Sequence, residues 1–309
     1  MNSKPSLWIK GRIADMARAT GAVAVGFARA DEVDASVRAC YEKWIAEVRH
    51  GSMAYLDRYA DVRFDPRLLL PGARTVISMA FPYRPPGGYH HPHIADYALG
   101  RDYHTVIKAR LAPLVRYIGA TTGASSRVCV DTAPILERYW ATRAGIGFIG
   151  LNRQLIVPGM GSGVFLGELV TTLEVEPDSP LASTCEPDEA PTCARCGRCV
   201  DACPGAALAD GFDARMCRSY LSIEHRGGLP AGPSTLGACV YGCDVCQRVC
   251  PHNASAPPEP LAEFYPDPRL LKLDRAALSN LSAGDWRRLT KDSAMRRITI
   301  HQLRRNLGL

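Results

Sequence analysis

The chain has 309 residues, 47% hydrophobic and 22% charged, with 27 Gly, 23 Pro and 12 Cys. That length can bury a sizeable core in one or two domains, and the composition excludes disordered, collagenous and helical membrane-spanning classes: no apolar run approaches the roughly 18 to 20 residues that a bilayer helix requires. A formal net charge of +6 is compatible with a polyanionic partner but too modest to identify one.

Residues 6–20 are patterned as an amphipathic helix with Leu7, Ile13, Met16 and Ala17 inward, followed by a strand over 22–27. A second helix over 34–48 puts Tyr41, Trp44 and Ile45 at core spacing. Pro66 and Pro71 bracket a helical turn, and residues 75–81 read as a buried strand. Taken by itself, Arg63 just before that turn reads as a salt-bridged structural residue. Residues 84–93 form a Pro- and Gly-rich loop carrying His90, His91 and His93; the breakers supply no scaffold to fix a metal, so a surface loop is expected. A helix follows from His104 towards Ile118. A strand over 127–130 ends at Asp131, and the next helix is expected to start at Thr132 with Asp131 as its N-cap. Alternating helix and strand imply an α/β sandwich.

Gly145-Ile-Gly147-Phe-Ile-Gly150 matches G-x-G-x-x-G, but it follows a helix and opens a strand at residues 155–157, the reverse of a dinucleotide fingerprint. It reads as a tight turn where a flat ligand can approach bare backbone. A last strand over 167–175 leads into an acidic, Pro-rich linker over 176–191. The expected organisation is an α/β catalytic domain (1–180), a bacterial-ferredoxin-like module (181–260) and a basic C-terminal segment (261–309).

The second unit carries the strongest signal. Cys193, Cys196, Cys199 and Cys203-Pro204 form a C-x2-C-x2-C-x3-C-P run, and Cys243, Cys246 and Cys250-Pro251 form a second run closing on Cys-Pro. Two-residue gaps let one loop aim three thiolates at one cubane, whereas a zinc site of four thiolates leaves tandem runs unexplained. Under the crossing rule Cys193, Cys196 and Cys199 are completed by Cys250, while Cys203, Cys243 and Cys246 need an eighth ligand. Spacing leaves Cys217 and Cys239 equally open, with Cys185 a spare outside both runs. Only Cys40 and Cys129 lie outside the 185–250 stretch, so the cysteines serve a local metal site in a reducing compartment and not a dispersed disulfide framework. With no secretory apolar core at the start, a cytoplasmic location is expected. Two clusters fused to an α/β body make an electron wire, which implies that something in that body is reduced.

Past Trp286 the chain holds Arg287, Arg288, Lys291, Arg296, Arg297, Arg304 and Arg305 against only Asp292. Such a run is either a solvated helix face or a phosphate-backbone footprint.

Five segments then carry a resemblance: Ala98-Leu-Gly-Arg-Asp-Tyr-His104, Val130-Asp131-Thr-Ala-Pro-Ile-Leu-Glu-Arg138, Ala144-Gly-Ile-Gly-Phe-Ile-Gly150, Phe165-Leu-Gly-Glu168 and Tyr241-Gly-Cys-Asp-Val-Cys246. In this order, over essentially the whole chain, they resemble the epoxyqueuosine reductases. The resemblance implies a cobalamin-dependent enzyme with two [4Fe-4S] clusters that converts epoxyqueuosine to queuosine at the wobble position of tRNA. It makes Asp131 the proton donor, with burial beside the corrin raising its pKa. It selects Cys217 as the eighth cluster ligand, and it implies cobalamin contacts from Arg63, Asp131, Leu155, Leu166 and the Cys243-Asp244 turn, several through backbone. The implied partners are tRNA, held by the basic segment and the stretch near His225 and Arg226, and an external electron donor; a monomer away from membranes is expected. Leu151 departs from the lysine usual in the family, and the helical-repeat extension of longer relatives is missing, so tRNA is expected to be held by less surface. The rivals are a cobalamin and iron-sulfur reductase of another small molecule and a non-catalytic iron-sulfur electron carrier.

Overall fold

The computed structural model describes residues 4–84, 90–180, 193–230, 236–255 and 258–309. Six strands are present among them: β1 (Ala24–Arg29), β2 (Thr75–Pro82), β3 (Ser126–Cys129), β4 (Phe148–Ile149), β5 (Leu155–Ile156) and β6 (Val164–Thr171). Four build an antiparallel sheet in the order β1-β2-β6-β3, and β4 pairs with β5 in a separate ribbon. All eight residues of β2 are buried because both sheet faces are covered. On one face Ile77, Met79 and Phe81 meet Ile13 of the Lys4–Ala19 helix and Ile107 and Leu111 of the Tyr103–Thr122 helix. On the other, Val76, Val170 and Cys129 pack under Tyr139 and Trp140 of the Glu137–Arg143 helix. A strand covered twice loses its polar alternation, which is why β2 reads as a continuous apolar run. A Cβ at Gly26 would stand 1.9 Å from the Ala144 carbonyl oxygen, so that helix end closes onto β1 only over a residue without a side chain.

The helix expected from Thr132 starts instead at Glu137. Pro134 disfavours helical backbone in the residue before it, so residues 132–136 stay a loop and Asp131 caps nothing. The glycine turn also differs from expectation. Cβ atoms at Gly147 and Gly150 would lie 2.6 Å from the Ile156 oxygen and 2.7 Å from the Ile156 Cδ1; β5 fills the space proposed for a flat ligand. Nor is the histidine loop simply surface: His91 is buried and its Nδ1 accepts the backbone N–H groups of His93 and Ile94 at 3.1 Å each.

Residues 261–309 are folded. Short helices at Pro268–Leu271, Arg275–Ser279, Ala283–Leu289 and Ile300–Leu307 bury Trp286, Met295 and Leu303 against Ile94, Leu99 and Tyr241. Most of the 176–191 linker, including Cys185, lies outside the described residues; Cys40 is disulfide-bonded. Among the described residues no helix is long and apolar enough to cross a membrane.

Candidate active site and cluster module

Asp131 follows β3 with φ +52°, a left-handed backbone that costs an ordinary L residue about 1 kcal/mol and that Asp tolerates better than most. Its Oδ2 accepts hydrogen bonds from the Tyr103 hydroxyl at 2.9 Å and from His104 Nε2 at 3.0 Å. The other ring nitrogen of His104, Nδ1, lies 2.7 Å from Asp102 Oδ1. Asp102 is fixed in turn, because it caps the Tyr103–Thr122 helix by accepting the His104 N–H at 3.1 Å.

An imidazole with a carboxylate at each nitrogen is best satisfied as the doubly protonated cation. Burial opposes that charge, but Asp102 and Asp131 outweigh it and lift the His104 pKa to about 9. For Asp131 burial is again the largest single influence and pushes upward; the bonds from His104 and Tyr103 and the charge of Arg297 together overcome it and hold the carboxyl below its ordinary value. The fold by itself thus favours an ionised Asp131 beside a protonated His104, opposite in direction to the rise that burial beside a corrin would bring. The Asp131 side chain is 56% exposed although protein surrounds it on most sides, which places it on the floor of a cleft open to water.

The Asp131 backbone N–H donates to Glu137 Oε1. Glu137 and Glu168 stand close enough to act on each other's ionisation, while both Glu168 carboxyl oxygens are buried with no hydrogen-bond partner among the described residues. Glu168 is fully buried on β6. Burial and the neighbouring Glu137 drive its pKa far up, while burial and Asp131 bring Glu137 to about 7.

Glu224, Arg297, Asp131 and Arg63 all act electrostatically on Tyr55. Arg297 pairs with Glu224 through bonds of 3.0 and 2.8 Å, and Arg138 is exposed within electrostatic reach of Asp131. Arg63 is 7% exposed, and its Nε meets no partner among the described residues. A buried, unanswered guanidinium N–H costs about 1 to 3 kcal/mol. It would be answered by a ligand fringed with carbonyl and phosphate oxygens, as cobalamin is, so the residues present fit that cofactor. Leu155 and Leu166 share an apolar cluster with Ala80, Ile146 and Val157. Asp244 turns its buried carboxylate to the Asp96 N–H at 2.6 Å, leaving backbone as what its turn can offer a cofactor.

The structure gathers one of the two cysteine sets that the crossing rule groups. Cys193, Cys196, Cys199 and Cys250 line one pocket with Asn152 and His252. Cys246 lies within electrostatic reach of Cys217, Cys203 and Cys199, and Cys243 of Cys217 and Cys239. Burial pushes the Cys246 thiol to about 12, an environment in which a thiolate needs the positive iron core of a cluster. Cys239 hydrogen-bonds to Cys243 and to Arg218. The thiols are the donor type that a cubane takes, although among the described residues no three of them already stand close enough to hold one metal ion.

The basic run splits. Arg305 is spent inside the protein, donating to the carbonyls of Leu221, His225 and Gly227, and Arg226 bonds Gln302. Arg287, Arg288, Lys291, Arg296 and Arg304 remain exposed. Sequence reasoning assigned no role to Tyr103, His104, Glu137 or Glu168, although all four stand in the segments that carried the resemblance.

Residues 63–132 match a family model described as epoxyqueuosine reductase QueG, DUF1730, and residues 192–253 match a 4Fe-4S double cluster binding domain. The epoxyqueuosine reductase of Gloeobacter violaceus is 38% identical over 309 residues, covering 96% of this chain and 93% of that one. Among solved structures, an epoxyqueuosine reductase with an epoxyqueuosine-modified tRNA-Tyr stem loop superposes with a TM-score of 0.84 at 28% identity, covering 98% of this chain and 80% of that one. The Bacillus subtilis epoxyqueuosine reductase, with its catalytic aspartate loop swung out of the active site, gives 0.81 at 27% identity, with coverages of 98% and 80%.

Proposed function

The chain belongs to the epoxyqueuosine reductase family, and from that premise we propose that its cleft reduces epoxyqueuosine to queuosine in tRNA with Asp131 as the residue that hands over the proton. The observation that carries this role is the grip of Tyr103 and His104 on an accessible Asp131 carboxylate. Loss of an epoxide oxygen as water consumes two electrons and two protons. Two [4Fe-4S] clusters deliver the electrons, and bound cobalamin supplies a strongly reducing, nucleophilic metal.

The remaining work falls to side chains. Arg63, Leu155, Leu166 and the Cys243-Asp244 backbone would hold the cofactor. Asp131 faces the substrate, and His104 stores the proton that Asp131 passes on, with Asp102 stabilising the resulting imidazolium. Because the His104 pKa is raised, the store is full at neutral pH and empties as pH rises through about 9. With clusters and cobalamin loaded and a reductant present, loss of epoxyqueuosine from tRNA should therefore be level near pH 7 to 8. It should fall about tenfold per unit above 9, while His104→Gln runs about 10- to 100-fold slower without that inflection. A wild-type profile level to pH 10 would remove His104 from the reaction.

The exposed Arg287, Arg288, Lys291, Arg296 and Arg304 form the surface proposed for the tRNA backbone. At about 0.7 per single-strand phosphate, four or five contacts give a log-log salt slope of about −3 to −3.5, on the order of a 100-fold loss of affinity between 50 and 200 mM salt. A flat response in a filter-binding titration would reject this patch. The reading takes the protein as a cytoplasmic monomer served by an external electron donor.

A further inference from the structure

Glu168 is the most deeply buried acid in the sheet and takes no part in the chemistry above. It sits between Ser78 of β2 and Cys129 of β3 in register. Ser78 Oγ and both Glu168 oxygens make no bond among the described residues, and the group that acts most on the buried Glu168 carboxyl is Glu137. Burying a carboxyl pair is costly unless each member is bonded, and the cost here is met at one place: Glu137 opens the helix after the 132–136 loop and accepts the Asp131 N–H.

We propose that Glu137 and Glu168 are positioning residues that latch the Asp131 loop closed, Glu168 donating its proton to Glu137 and Glu137 accepting the Asp131 amide. The latch acts on the backbone, whereas Tyr103 and His104 act on the side chain, so two independent sets of bonds fix a residue held at φ +52°. Without the latch the loop loses the one bond that ties the Asp131 amide to the rigid sheet, and the carboxylate spends time away from His104. Small displacements of a reacting group cost on the order of 100-fold in rate. The inference rests on Asp131 being the reacting acid.

The test follows amide hydrogen exchange of residues 130–136, together with turnover of a modified tRNA stem loop, in the fully loaded enzyme. Glu137→Ala should exchange its Asp131 amide about tenfold faster or more, with kcat reduced about 10- to 100-fold and KM within about threefold of wild type. Glu168→Gln should keep the amide protected, because its side-chain N–H replaces the shared proton, while Glu168→Leu should lose protection as Glu137→Ala does. Cluster absorbance and circular dichroism confirm that each variant is folded. Wild-type protection and kcat in Glu137→Ala would overturn the latch, as would a folded Glu168→Gln that exchanges as fast as Glu137→Ala. Asp131→Asn separates the two ideas: normal turnover in that variant defeats the proton donor, and the exchange rates still judge the latch.

Discussion

Replacing Asp131 by Asn should abolish most turnover, by about 100- to 10,000-fold in kcat, while clusters and cobalamin remain bound. Asn matches the volume of Asp and tolerates the left-handed backbone at this position. Its carbonyl oxygen can still accept from Tyr103 and His104, at the positions now 2.9 and 3.0 Å from Asp131 Oδ2. What it lacks is a transferable proton. The loss should therefore appear in kcat with little change in KM, the signature of an interaction made only in the transition state. Removing the negative charge should also bring the His104 pKa down from about 9, because one of the two carboxylates that raise it is gone. A variant retaining turnover within about threefold would end the assignment. Asp131→Ala is the poorer probe, since it adds backbone strain and leaves Tyr103 and His104 without their acceptor.

The second large effect concerns the eighth cluster ligand. Cys217→Ser should lose about half of the bound iron and all turnover, whereas Cys239→Ser should keep both clusters. Cys217 approaches Cys203, Cys243 and Cys246 from between the two runs; Cys239 bonds to Cys243 and Arg218, a position beside a ligand. A cubane left with three thiolates gives up iron readily, while loss of a neighbouring hydrogen bond changes only its potential. Anaerobic iron and sulfide analysis of both variants decides the matter. Full iron in Cys217→Ser with half in Cys239→Ser would exchange their roles.

The contrast between these two residues shows where sequence stopped. Seven thiolates follow from two runs whose gaps of two and three residues constrain a loop so tightly that no distant contact is needed to predict them. The eighth stands alone between the runs, and nothing in its neighbours in sequence distinguishes Cys217 from Cys239; the family resemblance selected it, and the fold brings it to Cys203 and Cys246. The basic C-terminal run misled in a similar way. Read as charge it is one patch, but Arg305 is consumed by three carbonyls and Arg297 by Glu224, and the segment is a packed set of helices around Trp286 and Met295.

Asp131 carries the same lesson to the chemistry. The chain alone determined the strand that ends there and that a helix follows, but not that the helix waits until Glu137. It could not determine that Asp131 ionises more readily than usual or that its loop is tied to the sheet, because those properties come from His104 and Glu168, 27 and 37 residues away in opposite directions along the chain. Cluster ligation is written in short loops, where spacing is geometry. Proton chemistry in this cleft is set by which side chains an antiparallel sheet and its covering helices bring into register, and only the closed tertiary structure fixes that.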